Sequence, residues 1–309
     1  MIHCERHTPS SALADQLVPL AHDSLLASDS FLQLFTHLAG HPVWWIATEN
    51  DQLLAALPGV EFGNRWFRRF QSLPDGLYSR LCLAPESKER AEELSHGLLQ
   101  AILAYGYTKA YIYDYYFDFP SLPQWRHRDL ITQHVEIPSP DWMPPNRQLR
   151  TEIRKADREG IEVHNFDSSR HMDGFMDLVD GTARRNRTAP RYPRQFFAAL
   201  ASLAETDDRI LWRWCQHDSK PVASHIVLIE SPMALAWQIF FDKQFASLKP
   251  NQFMLHQSAT ILAERGISVL NLGGSPAGVE TVVSFKEKWG SEQYRYPMYY
   301  HRQGLGRVL

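Results

Sequence analysis

Three apolar segments in the second half of the chain follow one another closely, and this spacing restricts the fold more than any other feature. They span residues 209–215, 222–230 and 234–241. The linkers between them, residues 217–221 and 231–232, are short and contain residue types that favour turns. Because such short linkers connect antiparallel neighbours, the spacing predicts three adjacent antiparallel strands.

The segments around these strands alternate between helical and strand patterns. In chain order, the second half is predicted to contain a strand at 161–166, helices at 170–184 and 193–205, the three strands, a helix at 251–265, a strand at 267–272, a short helix around Phe285 and a last strand at 293–300. The first half has a less regular version, with strands at 43–48 and 53–60, a helix at 88–105 and an aromatic strand at 110–116. The patterns predict a mixed α/β fold of two lobes, each with a mostly antiparallel central sheet flanked by helices.

Four prolines between the two halves mark a boundary. Pro138, Pro140, Pro144 and Pro145 fall within eight residues, which is incompatible with regular structure. We therefore predict an N-terminal lobe at 1–140. A C-terminal lobe is predicted at 146–309, and it opens with an interlobe helix at 146–159.

The composition excludes several classes of protein. The chain has 309 residues, of which 44% are hydrophobic, so it can form two cores. It has no apolar run near the about 20 residues of a membrane span, and its N-terminus lacks the basic-then-apolar order of a signal peptide. Its three cysteines are far apart, which argues against disulfides or a metal clip. We expect a cytoplasmic protein with no bound metal.

The net charge of −3 argues against a protein that coats nucleic acid through a bulk positive potential, and DNA is not an expected partner. Any anionic partner must therefore be bound by a local group of cations. One such group is conspicuous in the sequence. Within eleven residues, in a segment with no acidic residue between 181 and 204, there are five arginines: Arg184, Arg185, Arg187, Arg191 and Arg194.

Arginine clusters without acids favour an external anion, because the planar guanidinium matches phosphate oxygens. We expect Arg184, Arg187 and Arg191, with Tyr192 beside them, to contact a diphosphate, a CoA tail or a tRNA acceptor end. The alternative is a solvated charged face that pairs with acids from elsewhere in the fold.

A glycine-rich turn is the next candidate. Gly273, Gly274 and Ser275 stand between a predicted strand and a predicted helix, and glycines allow a backbone to approach a ligand closely. The three residues are therefore candidate substrate contacts. The turn also resembles the nucleophile elbow of a serine hydrolase. Pro276 excludes that enzyme class, because the residue after the nucleophile must donate its backbone N–H.

The helix after this turn carries the proposed catalytic lysine. Val282, Phe285 and Trp289 recur at i, i+3 and i+7, which predicts one shared face with Lys286 at its border. A cation beside an apolar wall suits a developing oxyanion. The alternative is that Lys286, like Lys288, is an ordinary solvated lysine.

The predicted helix at 146–159 is amphipathic and also rich in arginine. We favour packing and local ion pairs for this helix over ligand binding, because its acids dilute the positive charge. Arg150 and Arg154 remain secondary candidates for ligand binding.

A last group of candidates lies near the third strand of the second half. Asn251 is predicted to cap the following helix, whose free N–H groups would suit a pyrophosphate. Trp237, Phe240 and Asp242 are candidates for an acyl pocket, although large alternating residues in a strand are more often core. A general base is not identifiable, with Asp242 and Glu280 as options.

The element order and several short motifs resemble the FemAB-like branch of the GNAT acyltransferase superfamily. The motifs are residues 150–156 with Gly160 and Ile161, residues 191–197, residues 271–274 leading to Phe285, Lys286, Trp289 and Gly290, and residues 71–76 in the first half. The resemblance covers most of the chain and implies tandem GNAT-like lobes.

The resemblance implies acyl transfer more firmly than it implies a donor. Family members of known activity move an aminoacyl group from aminoacyl-tRNA to an amine, and the lysine of their Phe-Lys pair assists the transfer, which points to Phe285 and Lys286 here. Other members are presumed to use acyl-CoA. In this chain the glycine-rich pyrophosphate loop of CoA-using members is absent at 248–252, and the long helical arm of the staphylococcal members has no counterpart.

Three functions therefore stay open. The first is transfer of an aminoacyl group from the acceptor end of aminoacyl-tRNA to a small amine or peptide. The second is CoA-dependent N-acyl transfer on the same scaffold, with acyl-CoA as co-substrate. The third is a catalytically silent protein that binds a phosphorylated ligand. None of them requires a permanently bound cofactor.

Overall fold

A computed structural model describes residues 1–9, 11–64, 66–275 and 280–303. The chain forms two compact units, one with Met1–Leu130 and Arg295–Leu309 and the other with Ile131–Tyr294. The boundaries of these units differ from the predicted boundary between 140 and 146. The last strand belongs to the first unit because it pairs with a strand of that unit. The division into functional domains stays a prediction.

The first half of the chain contains three α-helices and seven strands in its described part. In chain order they are β1 (His3–His7), α1 (Ser11–Ala21), α2 (Asp29–Gln33), β2 (Gly40–Glu49), β3 (Gln52–Phe62), β4 (Arg69–Gln71), β5 (Cys82–Leu83), α3 (Ala91–Tyr105), β6 (Lys109–Tyr113) and β7 (Arg126–Glu136). The predicted helix at 88–105 is divided, since its start belongs to a 3-10 helix at Pro85–Arg90. The predicted strand at 110–116 ends at Tyr113.

The second half follows the predicted order. Its elements are α4 (Arg147–Arg158), β8 (Glu162–Asn165), α5 (Ser168–Asn186), α6 (Arg194–Ala204), β9 (Ile210–His217), β10 (Lys220–Glu230), β11 (Met233–Phe241), α7 (Pro250–Glu264), β12 (Val269–Gly274), α8 (Glu280–Glu287) and β13 (Glu292–Arg302). A 3-10 helix at Lys243–Leu248 precedes α7. Each predicted element of this half is present, with its bounds shifted by a few residues.

The sheet of the first unit runs in the order β1-β2-β3-β4-β6-β13, and β5 pairs with the far end of β3. All these pairs are antiparallel except β4 with β6. Helix α3 covers one face with Leu94, Leu98 and Ile102, whose helical spacing forms an apolar stripe. Gly106 ends this helix with φ +86°, a conformation that glycine adopts without strain.

The sheet of the second unit runs in the order β8-β9-β10-β11-β12-β7. The three strands predicted from their short linkers, β9, β10 and β11, are antiparallel neighbours, so that prediction is confirmed. Helices α4 and α7 cover one face of this sheet, and α5 and α6 cover the other with Phe175 and Phe197 against Trp212. The predicted mixed α/β class, with mostly antiparallel sheets flanked by helices, is confirmed.

Within the described ranges, no helix combines the length and the apolar character that crossing a membrane requires.

Candidate active site

Lys286 is the buried residue of α8, with 5% of its surface exposed. Its Nζ donates hydrogen bonds to two backbone carbonyls, to Gly273 O at 2.7 Å and to Gly274 O at 2.8 Å. An ammonium has three N–H groups, and the third has no acceptor among the residues described by the structure. The lysine therefore lies inside the protein against the glycine turn, whereas the sequence predicted it at the border of the helix face.

The turn that holds the lysine is itself fixed by a buried asparagine. Asn271 is 1% exposed, and its Oδ1 accepts a hydrogen bond from the Gly273 backbone N–H at 2.8 Å and another from the Thr132 hydroxyl. Gly273 has φ +73°, which a residue with a side chain adopts only with strain. The carbonyls of Gly273 and Gly274 therefore have fixed positions before any ligand binds.

Burial lowers the pKa of Lys286 to about 8 because the charged form loses hydration. The two carbonyl oxygens act in the opposite direction, since they stabilise the ammonium. With a pKa near 8 the side chain is mostly protonated at neutral pH. It can therefore donate a hydrogen bond to an oxygen that becomes negative during a reaction.

Strands β11 and β12 separate next to this lysine. They pair in parallel at three positions, Met233 with Val269, Ala234 with Leu270 and Leu235 with Asn271. In the described residues no further pair joins them, although β11 continues to Phe241. A bulge at Trp237, where β10 shifts its register against β11, increases the local twist. On the β12 side of this gap the Gly273 N–H donates to Asn271, and the carbonyls of Gly273 and Gly274 accept from Lys286, so an extended group would pair with the β11 edge.

The predicted aromatic wall is present but differs in construction. Trp289 is fully buried and contacts Phe285 edge to face at 6.3 Å, but it lies beyond the end of α8 at Glu287. The prediction that Trp289 continues the helix face is therefore wrong. The chain turns through Gly290, which has φ +74° and lies against Pro145, so Trp289 reaches the core and stacks on Trp142 at 6.2 Å.

Ser275 follows the two glycines, and its buried hydroxyl has no partner among the described residues. Pro276, which follows Ser275 in the same turn, lies outside the described residues. Thus, in the part of the turn that is described, Gly273 and Gly274 provide carbonyl acceptors and Ser275 provides an unused polar group.

The arginine-rich segment is only partly available for a ligand. The Arg194 guanidinium pairs with the Asp173 carboxylate at 2.6 Å, because α5 and α6 pack together. Arg185 donates to the Phe241 carbonyl at 3.2 Å and lies over the Phe241 ring. For these two arginines the structure therefore agrees with the alternative interpretation, in which the cluster pairs with groups from elsewhere in the fold.

The other three arginines of this segment are exposed. Arg187 ends α5 in the left-handed conformation with φ 55°, and Arg184 is in the last turn of that helix. Arg191 precedes Tyr192, which is 1% exposed and stacks on Phe196 at 4.3 Å. Tyr192 thus belongs to an aromatic cluster that positions the segment.

Trp237 joins this cluster to the separated strands. Its ring lies 5.4 Å from the Tyr192 ring, and it is partly exposed. Asp242, at the end of β11, accepts a hydrogen bond from the Gln244 backbone N–H at 2.9 Å and so caps the 3-10 helix. The Asp242 carboxylate therefore has a local structural partner, and Phe240 is buried in the core.

Asn251 does not cap α7, so that prediction is wrong. The helix begins at Pro250 after Lys249, which has φ 62° and provides no side-chain cap. The Asn251 Oδ1 instead lies 3.0 Å from His225 Nε2. His225 is 1% exposed and therefore needs a polar partner. Asn251, which was predicted to cap the helix, is that partner.

The two secondary candidates of α4 differ in environment. Arg150 donates to the carbonyls of Pro144 and Pro145 at 3.0 and 2.7 Å, which fixes the segment before the helix. Arg154 is exposed beside a cavity of about 590 Å³. The contacts of Arg150 agree with the packing interpretation of this helix.

Sequence reasoning missed the polar residues that β7 brings to this region. Thr132 bonds Asn271, and His134 is directly opposite Asn271 in the β7–β12 pair. His134 stacks on Tyr294 at 4.5 Å, and burial lowers its pKa to about 4. The polar start of β7 hid the strand, and no local motif marks Thr132 or His134.

Trp142, Trp289, His134 and Tyr294 also line a cavity of about 370 Å³, which therefore adjoins the end of α8. Among the described side chains, no three His, Cys, Asp or Glu residues are grouped so that they could hold a metal ion.

A family model described as an acetyltransferase (GNAT) domain matches residues 146–295. No curated protein sequence matches the chain.

Solved structures match over nearly the whole chain. The crystal structure of FemX matches with a TM-score of 0.69 and 10% identity, covering 95% of this chain and 96% of FemX. L-PGS from Bacillus licheniformis matches with a TM-score of 0.60 and 14% identity, covering 98% and 95%. A tandem GNAT protein from the clavulanic acid biosynthesis pathway matches with a TM-score of 0.56 and 11% identity, covering 98% and 99%. At these identities the matches establish the fold.

Proposed function

We propose that this chain, whose residues 146–295 match the acetyltransferase (GNAT) domain family, is an N-acyltransferase that moves an aminoacyl group from aminoacyl-tRNA to an amine. The observation that carries the proposal is the buried Lys286 ammonium, which bonds to two fixed carbonyls and has one N–H group left among the described residues. We assign the reaction to the lobe that begins at residue 146.

The proposed reaction is an aminolysis. The nitrogen of a neutral amine attacks the ester carbonyl carbon, and negative charge collects on the carbonyl oxygen. The bond to the ribose oxygen then breaks as the amide forms, and the departing ribose oxygen takes up the proton lost by the amine and becomes a hydroxyl. Lys286 stabilises the charge on the oxygen, which requires the protonated side chain.

The separated strands β11 and β12 support the same reaction. In the described residues β11 makes no ladder pair with β12 beyond Leu235, and the exposed edge of a strand can hold an extended acyl group by hydrogen bonds. The bulge at Trp237 reorients the backbone next to this gap. Trp237 and Phe285 would then contact the acyl side chain, and Ser275 would donate to a polar atom of the acceptor.

Two observations favour tRNA as the donor. The FemAB-like motifs around Phe285 and Lys286 are similar to those of tRNA-dependent enzymes. In addition, α7 starts with Pro250 at its first position, which removes one N–H group from the helix N-terminus, and Asn251 is engaged by His225. An aminoacyl-tRNA donor would place the reaction in the cytoplasm. Exposed Arg187 and Arg191 would contact its phosphates.

Acyl-CoA is the second candidate donor. The gap between β11 and β12 favours it as much as it favours an aminoacyl ester, because an extended thioester chain can pair with the same β11 edge. The fold is also similar to that of the tandem GNAT protein from the clavulanic acid pathway.

The test is a donor comparison with a panel of small amines and peptides as acceptors. We expect amide formation from a mixture of aminoacyl-tRNAs and none from acetyl-CoA, with uncharged tRNA as the control. Amide formation from acetyl-CoA but not from aminoacyl-tRNA would identify acyl-CoA as the donor. If no donor gives product, and Lys286→Ala leaves ligand binding unchanged, the protein is a silent binding protein.

A second test uses the salt dependence of tRNA binding. Each cation that contacts a phosphate contributes about 0.7 to 0.9 to the slope of log affinity against log salt concentration. Arg187→Gln is therefore expected to flatten this slope, while the exposed Arg147→Gln in α4 serves as a matched control. Equal slopes for the two variants would remove Arg187 from the donor site.

A further inference from the structure

The first unit has a sheet face on which cations and tyrosines alternate. In the β6–β13 pair, Tyr300 is directly opposite Tyr111, and Arg302 is opposite Lys109. Residues directly opposite each other point to the same side of a sheet, and so do residues two apart. These four side chains therefore share one face, here called the tyrosine–arginine face. The other face carries Ala110, Ile112 and Tyr299 into the core.

Strand β7 adds two arginines to this face. Arg126 and Arg128 are two residues apart, and both line a cavity of about 810 Å³ together with Tyr111, Tyr300 and Arg302. Of the described residues that line this cavity, none is acidic. Both arginines are exposed, and no carboxylate among the described residues lies within 4 Å of either guanidinium.

A third strand extends the row of cations. In the β4–β6 pair Arg69 is opposite Lys109, so Arg69, Lys109 and Arg302 form one row across three neighbouring strands. Neighbouring strands are about 4.8 Å apart, and like charges directly opposite each other destabilise a sheet. A row of three neighbouring cations attracts an anion.

The tyrosines define what kind of anion fits. Tyr111 and Tyr300 are half-buried and lie directly opposite each other in the β6–β13 pair. The Arg302 guanidinium lies 5.7 Å from the Tyr300 ring centroid. Aromatic rings on an open sheet face stack on bases, and neighbouring cations contact the phosphates of the same strand. A duplex would present its phosphates but would hide the faces of its bases.

We propose that the tyrosine–arginine face binds single-stranded RNA. The rows of side chains repeat every two residues, about 6.7 Å, so successive nucleotides can be bound by successive rows. Because the whole chain has a net charge of −3, RNA would be bound by this local group of cations and not by a positive potential over the whole surface. The proposal goes beyond acyl transfer, and it holds whether or not the transfer reaction uses tRNA.

The experiment measures binding of labelled RNA oligonucleotides of about eight nucleotides to the full chain by fluorescence anisotropy at several salt concentrations. For the double variant Arg126→Gln/Arg128→Gln we expect the salt slope to fall by about 1.4, since each cation contributes about 0.7 for single strands. Lys88→Gln, an exposed lysine of the same unit, is the control and should leave the slope unchanged. Equal slopes for the double variant and the control would overturn the proposal.

A second pair of variants separates stacking from charge. Tyr300→Phe keeps the ring and should bind RNA as the wild type does, whereas Tyr300→Leu keeps apolar volume but loses stacking and should weaken binding about tenfold. Equal weakening by both variants would contradict a stacking role. Tighter binding of duplex than of single strands would also contradict the proposal.

Two further oligonucleotides identify the source of the strand. Preference for an oligonucleotide that ends like a tRNA acceptor over a uridine-rich one would assign the face to the tRNA end, and equal affinity would assign it to single-stranded RNA in general. Displacement of RNA by acetyl-CoA with no difference among RNA sequences or strand forms would overturn the proposal. Amide formation by the same variants is measured separately, so failure of the RNA proposal and failure of the transfer proposal remain distinguishable.

Discussion

The second unit uses positive charge in two regions that differ in environment. At the glycine turn, one ammonium, that of Lys286, is buried and bonded to two backbone carbonyls. In the segment from Arg184 to Arg194, several guanidinium groups are near the surface, and two of them have partners inside the protein. The segment with the most cationic residues in the sequence is thus the one whose charges are near the surface and hydrated.

This difference determines what each charge can do. A buried cation acts over a short distance in a medium of low dielectric, so it can change the rate of a chemical step. An exposed cation is screened by water and salt, so it mainly affects binding. Substitutions in the two regions should therefore affect different measurements.

The largest expected effect is on catalysis by Lys286→Ala. We expect kcat for amide formation to fall about 100- to 1,000-fold, because one donor to the developing oxyanion is lost. Lys288→Ala removes a neighbouring, partly exposed lysine and should leave kcat within about twofold. A matching loss in both variants would show that the burial of Lys286 has no special role.

The next effect concerns a buried group that must stay neutral. Burial lowers the pKa of His225 to about 4 from an ordinary value of 6.5, although its bond to Asn251 acts in the opposite direction. Between pH 6.5 and pH 4 the unfolded chain binds a proton there that the folded protein does not bind. The protein should therefore lose up to about 3 kcal/mol of its free energy of unfolding as the pH falls through this range.

Urea unfolding at several pH values checks this contribution. The acid-dependent loss should be smaller in His225→Gln, which does not titrate, than in the wild type. His41→Gln, at an exposed position, is the control and should follow the wild type. Identical losses in His225→Gln and the wild type would contradict the role of His225.

A third prediction concerns the support of the glycine turn. Asn271→Ala leaves the Gly273 N–H and the Thr132 hydroxyl without their acceptor, which should cost about 1 to 3 kcal/mol of unfolding free energy. Asn271→Asp keeps an acceptor oxygen and should cost less. Urea titration measures both variants, and equal stability of Asn271→Ala and the wild type would be the opposing result.

A fourth prediction uses the pH dependence of the rate. Because burial lowers the pKa of Lys286 to about 8, the protonated side chain is lost above that pH, and kcat should fall about tenfold per pH unit there. Lys286→Arg stays charged, so its profile should have no such limb, whatever its absolute rate. An alkaline limb that persists in the arginine variant would assign it to another group.

The smallest expected effect is at the exposed ion pair. Arg194→Gln removes the contact with Asp173, in which both side chains are largely exposed, and should change the unfolding free energy by less than about 1 kcal/mol. Amide formation should be unchanged. A large loss of activity would mean that the exposed segment from Arg184 to Arg194 affects catalysis as the buried Lys286 does.

Sequence periodicity predicted most of the second unit because β9, β10 and β11 and the helices around them have strong local patterns. The resemblance of the motifs, and not periodicity, led to Lys286 as the catalytic lysine. Periodicity missed β7, since Arg126, His127, Arg128 and Asp129 are polar on both sides of the strand. A strand of this kind is stabilised by its neighbours in the sheet rather than by its own pattern.

The errors at the site have similar causes. Asn251 precedes a predicted helix, which favours a cap, but the demand of buried His225 for a partner is a tertiary effect. Trp289 continued the helical spacing, but the turn at Gly290 ends the helix first. The partners of Arg185 and Arg194 come from other elements, Phe241 and Asp173, so no local pattern could reveal them.

The oxygens that hold Lys286 belong to the main chain, and this has a consequence for charge balance. In the described part of the chain the ammonium has no carboxylate within 4 Å, so its charge lacks a counterion. An anion that enters this space, whether a reaction intermediate or a bound phosphate, would restore local electroneutrality. Because the acceptors of Lys286 are backbone carbonyls, substitution of other side chains can change which anion enters this space but does not remove the positive charge.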